Sequence, residues 1–337
     1  MAVRVGINGF GRIGRCYLRA SLSAADVEVV AVNDLTSPEF NAHLLKYDST
    51  HGRLDIPVSV GEDGMTVGTE VIRVLAERDP SALPWRELGV DVVIESTGRF
   101  TTRAAAAAHL SAGAQRVIIS APAGDADATI VMGVNEQTYD PESHQVVSNA
   151  SCTTNCFVPM VKVLDDAFGI DAGLMTTIHA YTNDQSLLDL ERQDLRRARA
   201  AAINIVPAST GAARATSVVL SSMKGRLDGS ALRVPVPDGS LTDFTAIVRS
   251  TTVAEINEAF RVAADGPMKS IMVYSEEPLV SSDIVGSSAS CTFDSALTMV
   301  QRIDDEKSLV KVFGWYDNEW GYACRLVDLT RFVGRSG

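Results

Sequence analysis

The chain has 337 residues, 46% of them hydrophobic and 21% charged, a composition typical of a folded protein with room for two domains. Its net charge of -12 would repel the phosphates of nucleic acids, so we expect no nucleic-acid partner. No apolar run approaches the roughly 20 residues of a membrane span and no signal peptide is recognisable, so we expect no membrane partner and a cytoplasmic location. The cysteines number 5 and are not grouped with histidine at zinc-site spacing, which predicts a reduced compartment and no metal site.

The first half of the chain alternates predicted strands and helices. A strand over 3–8 is followed by a glycine-rich turn and a helix ending near Leu22, and a second strand covers 27–32. Further apolar strands are predicted over 90–96, 116–120, 129–132 and 145–148. A helix rich in alanine is predicted over 102–111. Apolar strands separated by helices predict a mostly parallel, doubly wound α/β sheet of the Rossmann type.

The character of the chain changes near residue 150. A helix is predicted from the segment SNASCTTNC to about Phe168, and the later strands alternate between polar and apolar residues. These strands cover 174–182, 232–236, 242–251, 272–274 and 290–293. An irregular, charge-rich loop covers 182–210, and a terminal helix covers 319–333. This pattern predicts an α+β domain with a mostly antiparallel sheet.

The turn after the first predicted strand, GFGRIG, has the pattern G-x-G-x-x-G. Gly9 permits the tight turn, Gly11 lets the backbone approach a pyrophosphate, and Gly14 lets the helix pack on the strand. The helix start would offer its free N–H groups to the phosphates. Asp34 follows the second strand, where a carboxylate can accept the hydroxyls of an adenosine ribose. Together these features predict a dinucleotide site; the alternative is a structural glycine turn and a capping aspartate.

A second motif, SNASCTTNC, lies where a predicted strand becomes a helix. Cys152 would occupy the first helical turn, where free N–H groups and the helix dipole favour a thiolate. His179 ends a predicted strand and could serve as the base of this cysteine, so we expect an acidic thiol. The alternative is a buried, unreactive cysteine and a core histidine, and spacing alone does not choose between the two.

Segments spread along the whole chain resemble the phosphorylating glyceraldehyde-3-phosphate dehydrogenase family, in its bacterial, actinobacterial type. They are NGFGRIGR, AVNDL, HLLKYDSTHG, ESTGRF, VIISAPA, SNASCTTNC, HAYTNDQ, DLRRARAA, STGAARA, RVPVP and GWYDNEWGY. SNASCTTNC is the most specific of them. The resemblance implies a homotetramer that uses NAD to convert glyceraldehyde 3-phosphate and inorganic phosphate to 1,3-bisphosphoglycerate in glycolysis.

The resemblance also implies roles for individual residues. Cys152 would attack the aldehyde to give a thiohemiacetal, and His179 would accept the hydroxyl proton as hydride leaves; phosphate would cleave the resulting thioester. The substrate phosphate would contact Thr182, Asp184 and Arg233. Inorganic phosphate would contact Ser151, Thr153, Arg197, Thr210 and Gly211. The cofactor would contact Gly9, Gly11, Arg12, Ile13, Gly14, Asp34, Arg78, Thr97, Gly98, Ser120, Asn183 and Asn318.

Other interpretations stay open from the sequence alone. The arginines around Arg197 could form a solvated basic face, and Asn318 could be a turn residue. The segment after HAYTNDQ reads SLLDLERQDL, without the arginine and proline frequent in the family, so affinities could differ. The alternative functions are erythrose-4-phosphate dehydrogenase, a paralogue with an altered inhibitor response, a non-phosphorylating aldehyde dehydrogenase, and a scaffold without catalysis.

The motifs also predict the domain limits. We expect an NAD-binding domain over 1–151, with a C-terminal helix over 317–337 packing back on it. The catalytic domain would cover 152–316 and contain the loop 182–210.

Overall fold

The structure, a computed structural model, describes residues 2–335; the predictions for Met1, Ser336 and Gly337 lie outside the described residues. Contacts divide this part of the chain into two units. Unit 1 comprises residues 2–130, 136–151 and 323–335, and unit 2 comprises 131–135 and 152–322. The domain limits drawn from the motifs stay a prediction.

Unit 1 is built around a mostly parallel sheet. Its strands are β1 (Val3–Asn8), β2 (Val27–Asn33), β3 (Tyr47–Asp48), β4 (Gly52–Arg53), β5 (Val58–Gly61), β6 (Gly64–Val67), β7 (Glu70–Leu75), β8 (Val92–Glu95), β9 (Arg116–Ile119), β10 (Ala128–Thr129) and β11 (Val146–Ser148). Within the described residues, all but the separate pair β3 and β4 form one 9-stranded sheet in the order β10-β11-β9-β8-β1-β2-β7-β6-β5. The strands from β10 to β7 pair in parallel, and β5 and β6 extend the sheet antiparallel. The Rossmann-type α/β prediction is confirmed.

The helices of unit 1 cover the sheet and connect its strands. They include α1 (Arg12–Ser21), α2 (Pro38–Lys46), α3 (Arg103–Ala106) and α4 (Ala108–Ser111). The single helix predicted over 102–111 is therefore divided, because the chain tightens at Ala107, where the N–H of Leu110 bonds the carbonyl three residues back. The side chains of β8 and β9 are buried throughout, as expected for strands covered on both faces.

The register of the parallel strands places several polar residues at one edge of this sheet. Asn8, the last residue of β1, lies opposite Asn33 of β2 and Glu95 of β8. The chain leaves all three strands at this edge. Ligands of doubly wound sheets bind outside the carboxyl ends of the strands, so this edge is the expected cofactor side.

Unit 2 contains a mixed, mostly antiparallel sheet. Its helices are α5 (Cys152–Phe168), α6 (Ala212–Val219), α7 (Val253–Asp265) and α8 (Ser281–Ile284). Its strands are β12 (Ile170–Ala180), β13 (Val206–Ser209), β14 (Leu227–Val234), β15 (Ser240–Arg249), β16 (Met272–Ser275), β17 (Cys291–Asp294), β18 (Met299–Arg302) and β19 (Lys307–Tyr316). The order is β13-β14-β12-β15-β19-β17-β16, with β18 on β19. The pairs β12–β14 and β16–β17 are parallel, and the other pairings are antiparallel, which confirms the α+β prediction.

One face of the unit 2 sheet packs against α5, and this packing holds the start of that helix in place. Phe157 of α5 meets Phe244 of β15 edge-on, with ring centroids 4.9 Å apart, and both side chains are fully buried. Edge-to-face aromatic pairs contribute about 1 kcal/mol beyond the area they bury. The first residue of α5, Cys152, is thereby fixed relative to the ends of the neighbouring strands.

Several elements were not predicted. The central strand β19 and the β5–β6 hairpin were missed. No residue ranges were predicted for the helices α2, α6 and α7. Every second residue of β19, from Ser308 to Tyr316, is buried, and its register against β15 makes it a sheet strand. The chain ends its described part with α9 (Trp320–Arg335) and also contains 3-10 turns at Pro80–Ala82, Glu136–Thr138, Ala201–Ile203, Ser221–Met223 and Ser295–Leu297. Within residues 2–335, no helix combines the length and apolar character needed to cross a membrane.

Candidate active site

The glycine turn of unit 1 forms a backbone cradle at the start of α1. Gly9 has a φ of 91°, and a Cβ there would lie 2.6 Å from the backbone nitrogen of Thr97. A Cβ on Gly14 would collide with the carbonyl oxygen of Gly9. The space at Gly11 is open and Gly11 caps α1. The open helix start can therefore receive a pyrophosphate, and side chains at Gly9 or Gly14 would disrupt the cradle.

Asp34 lies beside this turn with both carboxylate oxygens oriented. Oδ2 accepts a hydrogen bond from the N–H of Phe10 at 2.8 Å, and Oδ1 accepts from the N–H and hydroxyl of Thr36 at 3.1 and 2.9 Å. The side chain of the following Leu35 is half exposed and offers no donor. Such a fixed carboxylate suits the two hydroxyls of a ribose.

Arg12 and Ile13 are the first residues of α1. Arg12 Nη1 lies 2.5 Å from Oδ2 of the nearly buried Asp48. Burial opposes ionisation of Asp48, but Arg12 and the N–H groups of His51 and Thr50 lower the pKa of Asp48 to about 2. The Arg12 guanidinium is therefore anchored at the helix start, where it adds positive charge beside the phosphate cradle.

The other predicted cofactor residues of unit 1 follow parallel strands of the sheet. Thr97 and Gly98 follow β8, Ser120 follows β9, and Arg78 lies exposed beyond β7. Ser120 donates its hydroxyl to the carbonyl of Glu95 at 3.0 Å. Because parallel strands end at a common edge, the fold brings these residues to the side of the sheet that also carries Gly9 and Asp34.

The predicted nucleophile and base of unit 2 are in contact. Cys152 begins α5, and its Sγ lies 3.4 Å from Nε2 of His179, near the end of β12. The imidazole is 5% exposed, whereas the cysteine is partly exposed. Two residues before Cys152, Ala150 has a φ of 54°, a left-handed conformation that is strained for alanine and typical of functional sites. His179 Nδ1 lies 2.7 Å from the carbonyl oxygen of Ala180, and when Nδ1 carries the ring proton and donates it there, Nε2 can accept a proton directly from the sulfur.

The protonation of this pair differs from the sequence-based expectation. Burial, followed by the nearby Arg233, lowers the pKa of His179 to about 4. Burial raises the pKa of the Cys152 thiol to about 11, against the opposing effect of Arg233. The acidic thiol predicted from the helix start is therefore not favoured, because the partial burial of Cys152 affects the thiol pKa more than Arg233 and the N–H and hydroxyl of Thr153 do. A neutral thiol facing a neutral imidazole is the arrangement that general-base activation requires.

Arg233 lies opposite His179 on the parallel neighbour β14. Its Nη1 is 2.7 Å from His179 Nδ1, 3.0 Å from the carbonyl oxygen of Ala180 and 3.4 Å from the hydroxyl of Thr182. Its Nε is buried and has no hydrogen-bond partner among residues 2–335. A buried guanidinium nitrogen without an acceptor indicates a site for an anion.

A single carboxylate joins the two predicted phosphate-binding arginines. Asp184 forms a short ion pair with Arg197, and its Oδ2 lies 3.8 Å from Arg233 Nη2. The hydroxyl of Thr182 donates to Asp184 at 2.5 Å. The structure therefore brings Thr182, Asp184, Arg197 and Arg233 together in one cluster, with Asn183 exposed beside them.

The remaining predicted phosphate residues are placed separately. Thr210 accepts a hydrogen bond from the N–H of Ala212 at 3.2 Å, and Gly211 caps α6. Within residues 2–335, no hydrogen bond or ion pair joins Thr210 or Gly211 to the arginine cluster. Ser151 directly precedes the nucleophile, and Thr153 Oγ1 lies 2.9 Å from the hydroxyl of Tyr316. These four residues stay predictions as phosphate ligands.

Two residues that support the site were missed by sequence reasoning. The Tyr316 hydroxyl lies 2.7 Å from Thr177 Oγ1 as well as near Thr153, and its ring meets His179 edge-on. Ser240 accepts from the N–H of Ala180 at 3.0 Å and donates to Asn318 Oδ1 at 2.6 Å. Asn318 is thereby held with a fixed amide orientation, as a nicotinamide carboxamide would require. Tyr316 lies in the family motif GWYDNEWGY, so the sequence could have indicated its place in the site. Ser240 lies in no such motif, so nothing in the sequence indicated its role.

The lowered pKa of His179 predicts how stability depends on pH. An unfolded histidine binds a proton near pH 6.5 and the buried one near pH 4, so the unfolded state gains more protons on acidification. The stabilisation is complete above pH 6.5 and is lost as pH falls towards 4; the loss is about 2 kcal/mol at pH 5. Urea unfolding of the wild type and His179→Gln at pH 7.5 and 5 measures it. His43→Gln, which removes an exposed histidine, is the control, and equal pH dependence in wild type and His179→Gln would contradict the prediction.

The sequence matches one family of known proteins along nearly its whole length. Residues 3–103 match the family model described as glyceraldehyde 3-phosphate dehydrogenase, NAD binding domain, and residues 151–318 match the corresponding C-terminal domain. Curated glyceraldehyde-3-phosphate dehydrogenases from Streptomyces coelicolor and Geobacillus stearothermophilus are 62% and 58% identical, over 99% and 100% of both chains. One from Mycobacterium avium is 59% identical over 100% of both chains.

These matches confirm the family and the actinobacterial type recognised from the motifs. The erythrose-4-phosphate alternative is not favoured, because these relatives are all named for glyceraldehyde 3-phosphate. NAD is the cofactor that the matched domain binds. The chain belongs to the glyceraldehyde-3-phosphate dehydrogenase family and is an NAD-dependent oxidoreductase.

Proposed function

We propose that this enzyme oxidises glyceraldehyde 3-phosphate and transfers the acyl group to inorganic phosphate, giving 1,3-bisphosphoglycerate, with Cys152 as nucleophile and His179 as base. The contact of 3.4 Å between Sγ and Nε2 carries the proposal. Placement in the cytoplasm is part of the proposal. It is supported by the cysteines, all five of which lie in the described part of the chain and form no disulfide there.

The side chains of unit 2 can perform both half-reactions. Cys152 Sγ adds to the aldehyde carbon, and His179 Nε2 takes a proton from the thiol or from the new hydroxyl. NAD, when bound, supplies the hydride acceptor, and Asn318 would hold its carboxamide. A phosphate oxygen then attacks the thioester carbonyl, and the protonated His179 can donate a hydrogen bond to the oxyanion of the tetrahedral adduct. The adduct collapses as the C–S bond breaks, and the leaving thiolate takes the proton of His179, which returns the thiol of Cys152 and the neutral imidazole.

The arginine cluster supports a phosphorylated substrate and a phosphate co-substrate. Arg233 contacts the catalytic histidine, so a substrate phosphate bound by Arg233 would lie close to the nucleophile, as a short sugar phosphate requires. Arg197 is tied to Asp184 without a phosphate, and an incoming dianion would compete with that carboxylate. A phosphate drawing Arg233 towards itself would also relieve the charge that lowers the pKa of His179.

An assay of NADH formation tests this function. Absorbance should rise when the enzyme, NAD, glyceraldehyde 3-phosphate and inorganic phosphate are mixed, and omission of phosphate should leave at most a burst of about one NADH per site. Erythrose 4-phosphate serves as the comparison substrate. Equal turnover without phosphate would indicate a non-phosphorylating dehydrogenase, and faster turnover of the tetrose would contradict the substrate assignment.

Asp34 should make the enzyme prefer NAD to NADP. A 2′-phosphate near this carboxylate would be repelled by about 1 to 4 kcal/mol per unit charge at 4 Å, which gives roughly ten- to several-hundred-fold discrimination in kcat/KM. Asp34→Gly should raise the NADP/NAD ratio of kcat/KM. Asp63→Gly changes net charge equally in the exposed β5–β6 turn and should leave the ratio unchanged. A wild type that uses both cofactors equally would contradict this role of Asp34.

We propose a homotetramer because a single chain leaves a large apolar surface uncovered. In the loop 182–210, Leu187, Leu188, Leu195 and Ile203 are each more than 70% exposed. The outer face of the unit 2 sheet borders a cavity of 1130 Å³, beside the exposed Leu174. Surfaces of this kind usually lie in protein interfaces.

Light scattering tests the assembly. The mass should be close to four times the 36.0 kDa chain. Leu188→Ser with Ile203→Ser should lower it, whereas Val71→Ser, which alters an exposed side chain of unit 1, should not. A wild-type mass of one chain would contradict the proposed tetramer.

A further inference from the structure

A hydrogen-bonded path of buried polar side chains lies in unit 1, next to the proposed cofactor residues. His109, Glu95, Asn8 and Asn33 are 0 to 4% exposed, and none has a role in the proposed reaction. Burying polar groups is unfavourable unless each is hydrogen-bonded, so such a group of residues is expected to serve a purpose beyond filling the core.

The first part of this path fixes the tautomer of His109. The indole Nε1 of Trp85 lies 3.0 Å from His109 Nδ1, and His109 Nε2 lies 3.0 Å from Glu95 Oε2. Because an indole N–H can only donate, Nδ1 is the acceptor. Nε2 then carries the proton and donates it to Glu95.

Glu95 collects donors from three different segments. Its Oε2 also accepts from Asn8 Nδ2 at 2.6 Å, and its Oε1 accepts from the N–H of Thr97 at 2.9 Å and, in a shorter contact, from the Thr97 hydroxyl. Every one of these partners is a donor, the set that an ionised carboxylate accepts. The loop after β8 is thereby tied to the end of β1 and to α4.

The second part of this path continues from Asn8 of β1 to Asn33 of β2. Asn33 Nδ2 donates to Asn8 Oδ1 at 2.7 Å and to the carbonyl of Glu77 at 2.8 Å. The N–H of Glu77 returns a hydrogen bond of 2.8 Å to Asn33 Oδ1. An unbroken hydrogen-bonded path therefore runs from Trp85 through His109, Glu95, Asn8 and Asn33 to the backbone of Glu77.

Three members of this path directly precede a proposed cofactor residue in sequence, and a fourth, Glu95, accepts a hydrogen bond from one. Asn8 precedes Gly9, Asn33 precedes Asp34, Glu77 precedes Arg78, and Glu95 binds Thr97 directly. The cofactor loops themselves are separated along the chain, and the path links them through side chains that no cofactor needs to touch.

We propose that His109, together with Glu95, Asn8 and Asn33, is a positioning network that sets the spacing of the dinucleotide-binding loops before the cofactor arrives. The inference rests on the proposed cofactor residues. A fully satisfied buried network is rigid, and a preformed site binds its ligand more tightly than one that must be ordered on binding. His109 acts through Glu95 and Thr97, so its loss weakens dinucleotide binding and leaves the chemistry at Cys152 intact.

Titration calorimetry with NAD alone, without substrate, tests the network. His109→Phe removes the donor to Glu95 and the acceptor of Trp85, and the Kd of NAD should rise about tenfold. The KM of NAD should rise in parallel, while kcat and the KM of glyceraldehyde 3-phosphate change less than about twofold. His109→Gln retains an N–H donor for Glu95 and should restore the Kd to within about threefold of wild type.

Thr330→Val is the matched control for structural damage. It removes the acceptor of the buried Tyr17 hydroxyl, 3.0 Å away in the same unit, and touches none of the cofactor loops. Its Tm should fall while its Kd for NAD stays unchanged. If His109→Phe does not fold, Trp85→Phe, which removes the indole donor together with part of the buried ring, should raise the Kd about threefold.

The outcomes separate this inference from the proposed function. An NAD affinity of His109→Phe equal to that of Thr330→Val, with normal NADH formation by the wild type, overturns the network alone. Failure of His109→Gln to recover affinity also overturns it, since a conservative donor should suffice. A wild type that binds NAD but forms no NADH from glyceraldehyde 3-phosphate contradicts the proposed function and leaves the binding comparison decisive for the network.

Discussion

Cys152→Ser should reduce turnover of glyceraldehyde 3-phosphate by about 10⁴-fold or more, while the Kd of NAD changes less than about twofold. A serine hydroxyl is a far weaker nucleophile than a thiol. The nearby imidazole is too weak a base to convert the hydroxyl to an alkoxide. No covalent thioester can form, so acyl transfer to phosphate is lost together with oxidation. Stopped-flow NADH formation and calorimetry with NAD measure the two effects.

Cys156→Ser is the control for this substitution. Cys156 lies one helical turn further along α5, is fully buried, and its Sγ is 3.6 Å from the carbonyl of Gly314, an acceptor that serine can also use. This variant should retain turnover within about tenfold, the loss reflecting a buried polar replacement. Retention of substantial turnover by Cys152→Ser would show that another group is the nucleophile.

Exposure gives an independent test of the same residue. Cys152 and Cys324 are partly exposed, whereas Cys16, Cys156 and Cys291 are buried. Of the two partly exposed cysteines, Cys152 has its Sγ 3.4 Å from the imidazole of His179. Iodoacetamide should therefore label Cys152 first and abolish turnover in proportion to labelling. Mass spectrometry of peptides identifies the modified cysteine, and equal labelling of the cysteines would contradict a distinct reactivity at this site.

Local chain features made much of the cofactor side predictable. The glycine turn, the following helix and Asp34 lie within about thirty residues, and the βα turn determines their arrangement from sequence spacing. The start of α5 at Cys152 is local in the same way, since a strand ends and a helix begins within a few residues. Motif resemblance then extended these signals to the family and to NAD.

The features that could not be predicted depend on strand register and burial. Arg233 contacts His179 because β12 and β14 pair in parallel, 54 residues apart in sequence, and periodicity does not reveal such a pairing. Tyr316 reaches the site from β19, a strand that was missed. The acidic thiol is not favoured because the partial burial that raises the pKa of Cys152 depends on the folded surroundings, while the helix terminus that favours a thiolate is visible locally.

The same limits explain why the network of His109 was not found. Its members are single polar residues scattered among apolar strands and an alanine-rich helix, and each one alone resembles a satisfied core residue. Only the register Asn8–Asn33 and Asn8–Glu95 places them in line. Hydrogen-bonded paths across parallel strands have no periodic signature in a single sequence.

Arg233→Ala and Arg197→Ala should impair different steps. Arg233 lies beside the catalytic imidazole, so its loss should raise the KM of glyceraldehyde 3-phosphate about ten- to hundredfold, as expected for a charge-assisted contact with phosphate. Its loss also removes the cation next to His179, whose pKa should rise towards the usual value, and the acidic limb of the pH–kcat/KM profile should move to higher pH. Arg197→Ala should mainly raise the phosphate concentration required for turnover.

Arg199→Ala is the matched control for both substitutions. Arg199 lies in the same loop as Arg197 and forms an exposed ion pair with Asp189, so its removal changes charge and loop contacts equally without reaching the cluster. Neither KM should change by more than about twofold, since exposed ion pairs contribute little. Steady-state kinetics with each substrate varied in turn measures all three variants.

The shared Asp184 makes the comparison stringent. Because its carboxylate contacts Arg197 and lies 3.8 Å from Arg233, removing either arginine changes the position and charge of the other's partner. Some cross-effect is therefore expected. Arg233 contacts the imidazole, whereas Arg197 lowers the pKa of His179 only weakly, so Arg233→Ala should shift the pH profile more than Arg197→Ala does. Identical changes in both KM values and in the pH profile would show that the two arginines form one undivided anion site. The assignment of separate phosphates would then be wrong, although Cys152 and His179 would keep their roles.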